Sequence, residues 1–190
     1  MPRKATTDQL PEGFSYQPEF LAESEEIELL SRFAGLPFAP FEFQGYLAKR
    51  RIVQYGREYS FRTRRTTTAA PLPDFLAAVR DRAAGFADLT PEQLVEAVIT
   101  EYPPGAPIGW HRDVPQFEDV IGISLASGCR MRFKPYRQPG KVVSKMLTPR
   151  SIYALRGAAR WEFQHSIPAV PQLRYSVTFR TERVKGAPTS

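Results

Sequence analysis

Arg174-Tyr175-Ser176-Val177-Thr178-Phe179-Arg180 is the stretch on which the reading of the fold turns. Successive side chains of a strand point to opposite faces, so Tyr175, Val177 and Phe179 share one face and Arg174, Ser176, Thr178 and Arg180 the other. The apolar face suits the packed side of a sheet. The polar face either meets water or lines a cavity that receives an acid, a task for which the planar, permanently charged guanidinium is suited. Working upstream, residues 94–102 are β-branched and apolar and read as a core strand. Between these two lie short segments at 120–125, 130–133, 142–147, 151–155 and 160–164, with a last one at 174–181. Turn residues separate them at Gly128, Pro135, Gln138-Pro139-Gly140, Pro149 and Gly157. Short, evenly spaced strands of this kind indicate a β-sandwich or barrel.

The N-terminal half reads differently. Residues 21–33 carry Ile27, Leu30 and Phe33 at helical spacing, with Glu23, Glu25, Glu26 and Glu28 toward the start, and form a covering helix closed by Gly35 and Pro37. Residues 36–68 read as loops and hairpins, with Pro37, Pro40, Gly45 and Gly56 as breaks. A second helix is expected from Asp74, whose carboxylate caps the run 75–80, to an end near Gly85. Phe14 and Tyr16 begin a short extended segment, and Pro91-Glu92-Gln93 makes a single turn. Residues 1–12 and 184–190 read as flexible tails.

The chain has 190 residues, one cysteine, and a formal net charge of +6. Its length fits one domain with a substantial core. A lone Cys129 excludes an internal disulfide and points to a reducing, cytoplasmic setting, with a small buried apolar role for the thiol. No stretch approaches eighteen consecutive apolar residues, so neither a membrane span nor a signal peptide is expected, and a monomer is. Positive charge makes an anionic partner, including single-stranded or damaged DNA or RNA, a candidate. Tyr55, Arg57, Tyr59 and Arg62 lie in a segment that interleaves aromatics with arginines. Such a segment stacks bases and neutralises phosphates, or else is a surface hairpin with its aromatics tucked into the core.

The chemistry concentrates at Trp110-His111-Arg112-Asp113. On an extended segment His111 and Asp113 point to one side. The chain has only two histidines, so a site needing two imidazoles must use both His111 and His165. Two histidines and one carboxylate leave one face of a metal open, as in non-haem Fe(II) oxygenases. His-x-Asp alone is a common tripeptide, so by itself this proves little.

The ordered set His111-x-Asp113, His165, then Arg174-x5-Arg180 resembles the AlkB family of Fe(II)/2-oxoglutarate dioxygenases across residues 95–181. That resemblance implies a mainly β domain with flanking helices (α+β) on a double-stranded β-helix, or jelly-roll, core. The domain is expected over 13–183, with a helical cover and substrate lid at 13–93 and the core at 94–183. It implies His111, Asp113 and His165 as iron ligands. It implies Arg174 on the distal carboxylate of 2-oxoglutarate, Arg180 near the same acid or its surroundings, and O₂ as the other co-substrate. Tyr102 matches the family's 2-oxoglutarate tyrosine. Thr100 and Ser176 stand where the family usually has asparagines, and Pro115 stands where repair members often have a second acid. The region from Glu118-Asp119 to Phe133, with Ile123-Ser124-Leu125, resembles the RNA- and tRNA-modifying branch as much as the DNA-repair branch. The function implied is oxidative removal of alkyl groups from N-alkylated nucleobases, with Trp110, Tyr55 or Tyr59 stacking on the base. The same iron chemistry on a protein, lipid or small molecule is the alternative, and a non-catalytic jelly-roll binding protein a third.

Overall fold

A computed structural model describes residues 9–43, 46–60 and 65–183; the outer parts of the expected tails, 1–8 and 184–190, lie outside them. In chain order the elements begin β1 (Phe14–Gln17), α1 (Glu23–Phe33), β2 (Ala39–Phe43), β3 (Tyr46–Ser60) and β4 (Arg65–Thr68). A 3₁₀ turn at Asp74–Leu76 leads into α2 (Ala77–Phe86), and another at Pro91–Gln93 into β5 (Leu94–Tyr102). There follow β6 (Ile108–His111), β7 (Phe117–Leu125), β8 (Cys129–Pro135), β9 (Val143–Leu147) and β10 (Ser151–Leu155). The series ends with α3 (Gly157–Trp161), β11 (Phe163–Ile167) and β12 (Arg174–Glu182).

The strands form two antiparallel sheets that face each other as a double-stranded β-helix. The larger runs β1-β10-β7-β12-β5-β3-β2, with β4 paired to β3, and the smaller runs β6-β11-β8-β9. Strand alternation sorts the large sheet into two environments. Val177, Phe179, Ile121, Ile123, Ile152, Ala154, Ala97 and Ile99 pack with Leu29 and Phe33 of α1 and with Val79 and Ala83 of α2. The opposite face looks toward the small sheet, where Val120, Tyr153 and Leu155 meet Met131, Phe133, Leu147 and Ile167. Cys129 lies in this second cluster as a buried free thiol.

Several expectations are corrected. The helix-1 stripe is Glu26, Leu29 and Phe33, and Ile27 is 61% exposed, because the face that meets the sheet is turned one residue from the expected one. Glu26 is buried because its carboxylate accepts the Ala126 amide at 2.8 Å and meets Arg150 at 3.5 Å. The described residues between 36 and 68 are mostly hairpin strand rather than loop, in β2, β3 and β4. The longest strand there, β3, pairs with β2, β4 and β5, and Gly56 on it takes φ +77° where a Cβ would meet the Val95 carbonyl at 2.2 Å. Asp74 does not cap helix 2; it opens the 3₁₀ turn before it. The segment expected as a strand at 160–164 is divided between α3 and β11. After Gly157, the run Ala158-Ala159-Arg160 closes a helical turn with Ala159 fully buried, and alanine favours helix over strand. Residues 10–12 are docked rather than trailing, since Leu10 packs on the second cluster and the Glu12 carbonyl accepts the Ala159 amide at 2.8 Å.

Candidate active site

β12 and β5 lie side by side, pairing Arg174 with Tyr102, Ser176 with Thr100 and Arg180 with Glu96. β11 pairs with β6 so that His165 stands opposite His111. These registers bring residues from both sheets to one cavity of about 380 Å³, lined among others by Tyr102, Thr100, His111, Asp113, His165, Tyr153, Arg174 and Arg180. That size is typical of a small-molecule pocket.

One donor atom each from His111, Asp113 and His165 falls within 4.8 Å of the others. The imidazole centroids are 4.3 Å apart. His111 Nδ1 lies 2.9 Å from the Gly109 carbonyl, which only accepts, so Nδ1 carries the proton and Nε2 keeps its lone pair. Asp113 divides its two oxygens. Oδ1 accepts from Arg180 Nε at 3.0 Å and Nη2 at 2.7 Å. Oδ2 is buried with no hydrogen-bond partner among the described residues. An orphaned carboxylate oxygen beside two imidazoles is a donor set that suits Fe(II). Downstream of Asp113, the buried Arg160 donates to the Val114 and Phe117 carbonyls, both at 2.8 Å, and so ties the segment that carries the carboxylate.

Charge is set by burial and neighbours. Burial would raise the Asp113 carboxyl, but Arg180, then His165 and Arg160, outweigh it and hold it well below the ordinary carboxylate range. Burial and then the neighbouring His111 push His165 down to about 3, and burial also lowers His111. Both imidazoles are thus neutral, the form that ligates a metal. The unfolded chain binds these protons near the ordinary imidazole value of about 6.5 and the folded metal-free protein does not, so unfolding takes up protons below that pH. The metal-free protein is therefore expected to lose stability as pH falls from about 7 toward 5. Thermal melts after chelation check this, and the slope should flatten in His165→Gln.

At the other end of the cavity Arg174 is 1% exposed. Its guanidinium lies 4.5 Å from the Tyr102 ring, its Nε is 3.4 Å from Ser124 Oγ, and Nη1 has no partner among the described residues. No carboxylate among those residues pairs with it. A buried cation left in this way calls for an acid from outside the chain. Tyr102 is 3.4 Å from Ser176 Oγ through its hydroxyl. Arg180, by contrast, meets two carboxylates of the chain itself: Asp113, and Glu96 at 2.6 Å.

A model of the 2OG-Fe(II) oxygenase superfamily matches residues 13–184. The chain belongs to that superfamily. Its members use Fe(II), 2-oxoglutarate and O₂, and the oxygenase is AlkB-like among them. It is 30% identical over 184 residues to the alkylated DNA repair protein ALKBH8 homolog of Arabidopsis thaliana, covering 82% of this chain and 51% of that one. It is also 30% identical over 186 residues to the tRNA (carboxymethyluridine(34)-5-O)-methyltransferase ALKBH8 of Mus musculus, covering 93% of this chain and 27% of that one. The oxygenase therefore spans about half or less of the length of these two relatives. Among solved structures, OsALKBH1 superposes with a TM-score of 0.72 at 14% identity over 92% of this chain and 98% of that one.

The expected substrate residues fare less well. Tyr55 is buried on the helix side of the large sheet, away from the cavity. Arg57 is exposed and pairs with Glu182 at 3.7 Å. Arg62 and the Tyr59 side chain lie outside the described residues. Trp110 does line the cavity. Upstream of that segment on the same strand, β3 turns Arg50, Ile52 and Gln54 toward the cavity, with the Phe41 ring of β2 4.2 Å from the Arg50 guanidinium. Tyr153 is a further cavity residue that no motif marks, since Ser151–Leu155 is buried on both faces. Its one signal is its cross-strand partner Gly122, because glycine in a strand often marks a close approach. A Cβ at Gly122 would meet the Tyr153 ring at 2.2 Å. Gly122→Ala should displace that ring and raise the KM for 2-oxoglutarate more than it lowers thermal stability. Unchanged co-substrate kinetics would show that the phenol has no part in the cavity's chemistry.

Proposed function

We propose that this domain, over residues 13–183, oxidises N-alkylated bases carried in a DNA or RNA strand. In this reading His111, Asp113 through Oδ2, and His165 hold iron. Arg174 takes the distal carboxylate of 2-oxoglutarate, with Tyr102 beneath the guanidinium and Thr100, Ser176 and Tyr153 around it. Arg180 keeps Asp113 ionised and leaves it one free oxygen. Once bound, iron with 2-oxoglutarate and O₂ supplies oxidative decarboxylation to succinate and CO₂, coupled to insertion of one oxygen atom into a substrate C–H bond. If that bond belongs to an N-methyl group, the N–CH₂OH product loses formaldehyde and returns the N–H base. The protein orients both reactants and keeps bulk water from the reacting centre.

The observation that carries the nucleobase reading is the cavity's outer wall. Phe41, Trp110, Arg50 and Arg112 line it, flat rings beside cations, the surfaces that stack a base and meet its phosphate. Support also comes from the relatives, one named for DNA repair and one for tRNA modification. A single buried cysteine accords with a reducing, cytoplasmic setting. No helix among the described residues is long and apolar enough to cross a membrane. The test is iron-loaded protein with 2-oxoglutarate and a panel of methylated DNA and RNA oligonucleotides, read by product mass. Succinate and formaldehyde in equal amounts, with loss of the methyl group, are expected. Failure on every methyl-A and methyl-C strand, beside normal turnover of a peptide, lipid or small acid, would overturn the reading.

A further inference from the structure

Residues 120–161 hold nine of the chain's 26 lysines and arginines and none of its 20 acidic residues, so the remainder of the chain carries a net charge of −3. The excess positive charge of the protein therefore originates in this stretch. Three of its cations, Arg150, Arg156 and Arg160, are engaged by Glu26, Asp119 and buried carbonyls respectively. Arg130, Arg132 and Lys134 are not engaged by any carboxylate among the described residues. They alternate along β8 with Met131 and Phe133, whose side chains are 1% and 0% exposed inside the jelly roll. The three cations accordingly stand on the outer face of the small sheet.

The neighbours on that face are polar or aromatic. Arg130 reaches Ser144 Oγ at 3.2 Å, and Arg132 reaches Ser166 Oγ at 3.1 Å. The Arg132 guanidinium and the Lys134 ammonium lie 5.0 Å and 4.7 Å from the Trp110 ring. Trp110 precedes His111 and lines the cavity, so the cationic face runs directly to the site. The four strands of the small sheet contain no Asp or Glu.

We propose that the outer face of the small sheet, with Arg130, Arg132, Lys134 and Trp110, docks a single-stranded nucleic acid and delivers its target base past Trp110. The inference rests on the nucleobase reading above and relocates the strand's path, from the β3–β4 ribbon suggested by its arginines to β8. Alternate residues along a strand stand about 6.6 Å apart, a row of charges suited to successive phosphates of an extended chain. An indole backed by two cations gives a stacking platform at the end of that row. A base in a single strand reaches a buried site without the cost of being extruded from a duplex.

The experiment compares Arg130→Gln/Lys134→Gln with a charge-matched pair on the helix side, Arg32→Gln/Arg80→Gln, in the full chain. Arg132 is left in place because it also bonds the fully buried Ser166 and so contributes to the sheet's own structure. Binding of short labelled single-stranded RNA and DNA is measured by fluorescence anisotropy across a salt series. The β8 pair should weaken binding about tenfold at low salt and lower the slope of log K against log salt by about 1.4, at 0.7 per phosphate contact. The helix-side pair should change neither, and both should keep the wild-type Tm and the substrate-free turnover of 2-oxoglutarate. If the wild type demethylates the oligonucleotide panel and both pairs bind alike, the docking face is wrong and the nucleobase reading stands. If the wild type binds no oligonucleotide and demethylates none, the reading itself fails. Loss of binding to phosphatidylserine vesicles in the β8 pair, with oligonucleotide binding intact, would overturn the proposal in favour of a membrane surface.

Discussion

Arg180→Met should cost about 3–5 kcal/mol of folding stability, because it removes the one cation between two buried carboxylates. Glu96 and Asp113 have side chains only 1% and 7% exposed, and Arg180 bonds to both, at 2.6 Å and 2.7 Å. A loss of this size is a large share of the 5–15 kcal/mol typical of a domain. The measurement is urea denaturation of the metal-free protein. Adding Glu96→Gln to Arg180→Met should restore part of the loss, since the neutral amide no longer needs a counter-charge. A second readout follows from the Asp113 carboxyl, which Arg180 holds low. Without the guanidinium it takes up a proton more readily, so Fe(II) affinity should fall and become steeper with acidity. A variant as stable as wild type, with unchanged iron affinity, would refute the role given to Arg180.

The second large effect belongs to Arg174. Truncating one partner of a buried charge pair costs about 2–5 kcal/mol, or roughly 30-fold to several thousand-fold in affinity. Arg174→Ala should raise the KM for 2-oxoglutarate by that factor while Fe(II) binding to His111, Asp113 and His165 persists. Arg174→Lys should recover part of the loss, because it restores the charge without the planar fork. Isothermal titration with 2-oxoglutarate and a redox-inert divalent metal separates the two terms. Loss of both metal and co-substrate binding would instead mean that the strand no longer folds around the site, and unchanged co-substrate binding would place the carboxylate elsewhere. The unpartnered Nη1 of this buried guanidinium makes the residue more than a structural cation.

The chemistry of the site was more legible than its walls. His111-x-Asp113, His165 and the alternating β12 stand out because their residue types are rare or periodic, and the structure brings them to one cavity. Tyr153 carries no such signal, since β10 is buried on both faces and its sequence does not alternate. For Tyr55 the alternation was visible but its polarity was not. Which parity faces the helices depends on where α1 and α2 dock, a tertiary fact absent from the local pattern. The 160–164 segment failed for a related reason. Trp161 and Phe163 resemble strand residues, but buried Ala159 and the carbonyl contacts of Arg160 close a helical turn before the strand begins. The net positive charge is harder to place by eye, because a dense run of arginines near 50–65 stands out more than a long stretch that merely lacks acids.

The alternation along β12 has one further consequence. Its even-numbered residues, Arg174 and Arg180 among them, face the cavity, while Val177 and Phe179 enter the helix-side core. A pairing error of one residue against β5 or β7 would exchange the two sets. It would force two guanidiniums among Ile99, Ile121 and Phe33, where the nearby carboxylates of Glu26 and Glu101 already meet Arg150 and Arg51. The arginines that equip the site thus also act as a proofreading device for the folding chain, rejecting the misaligned sheet before any substrate is met.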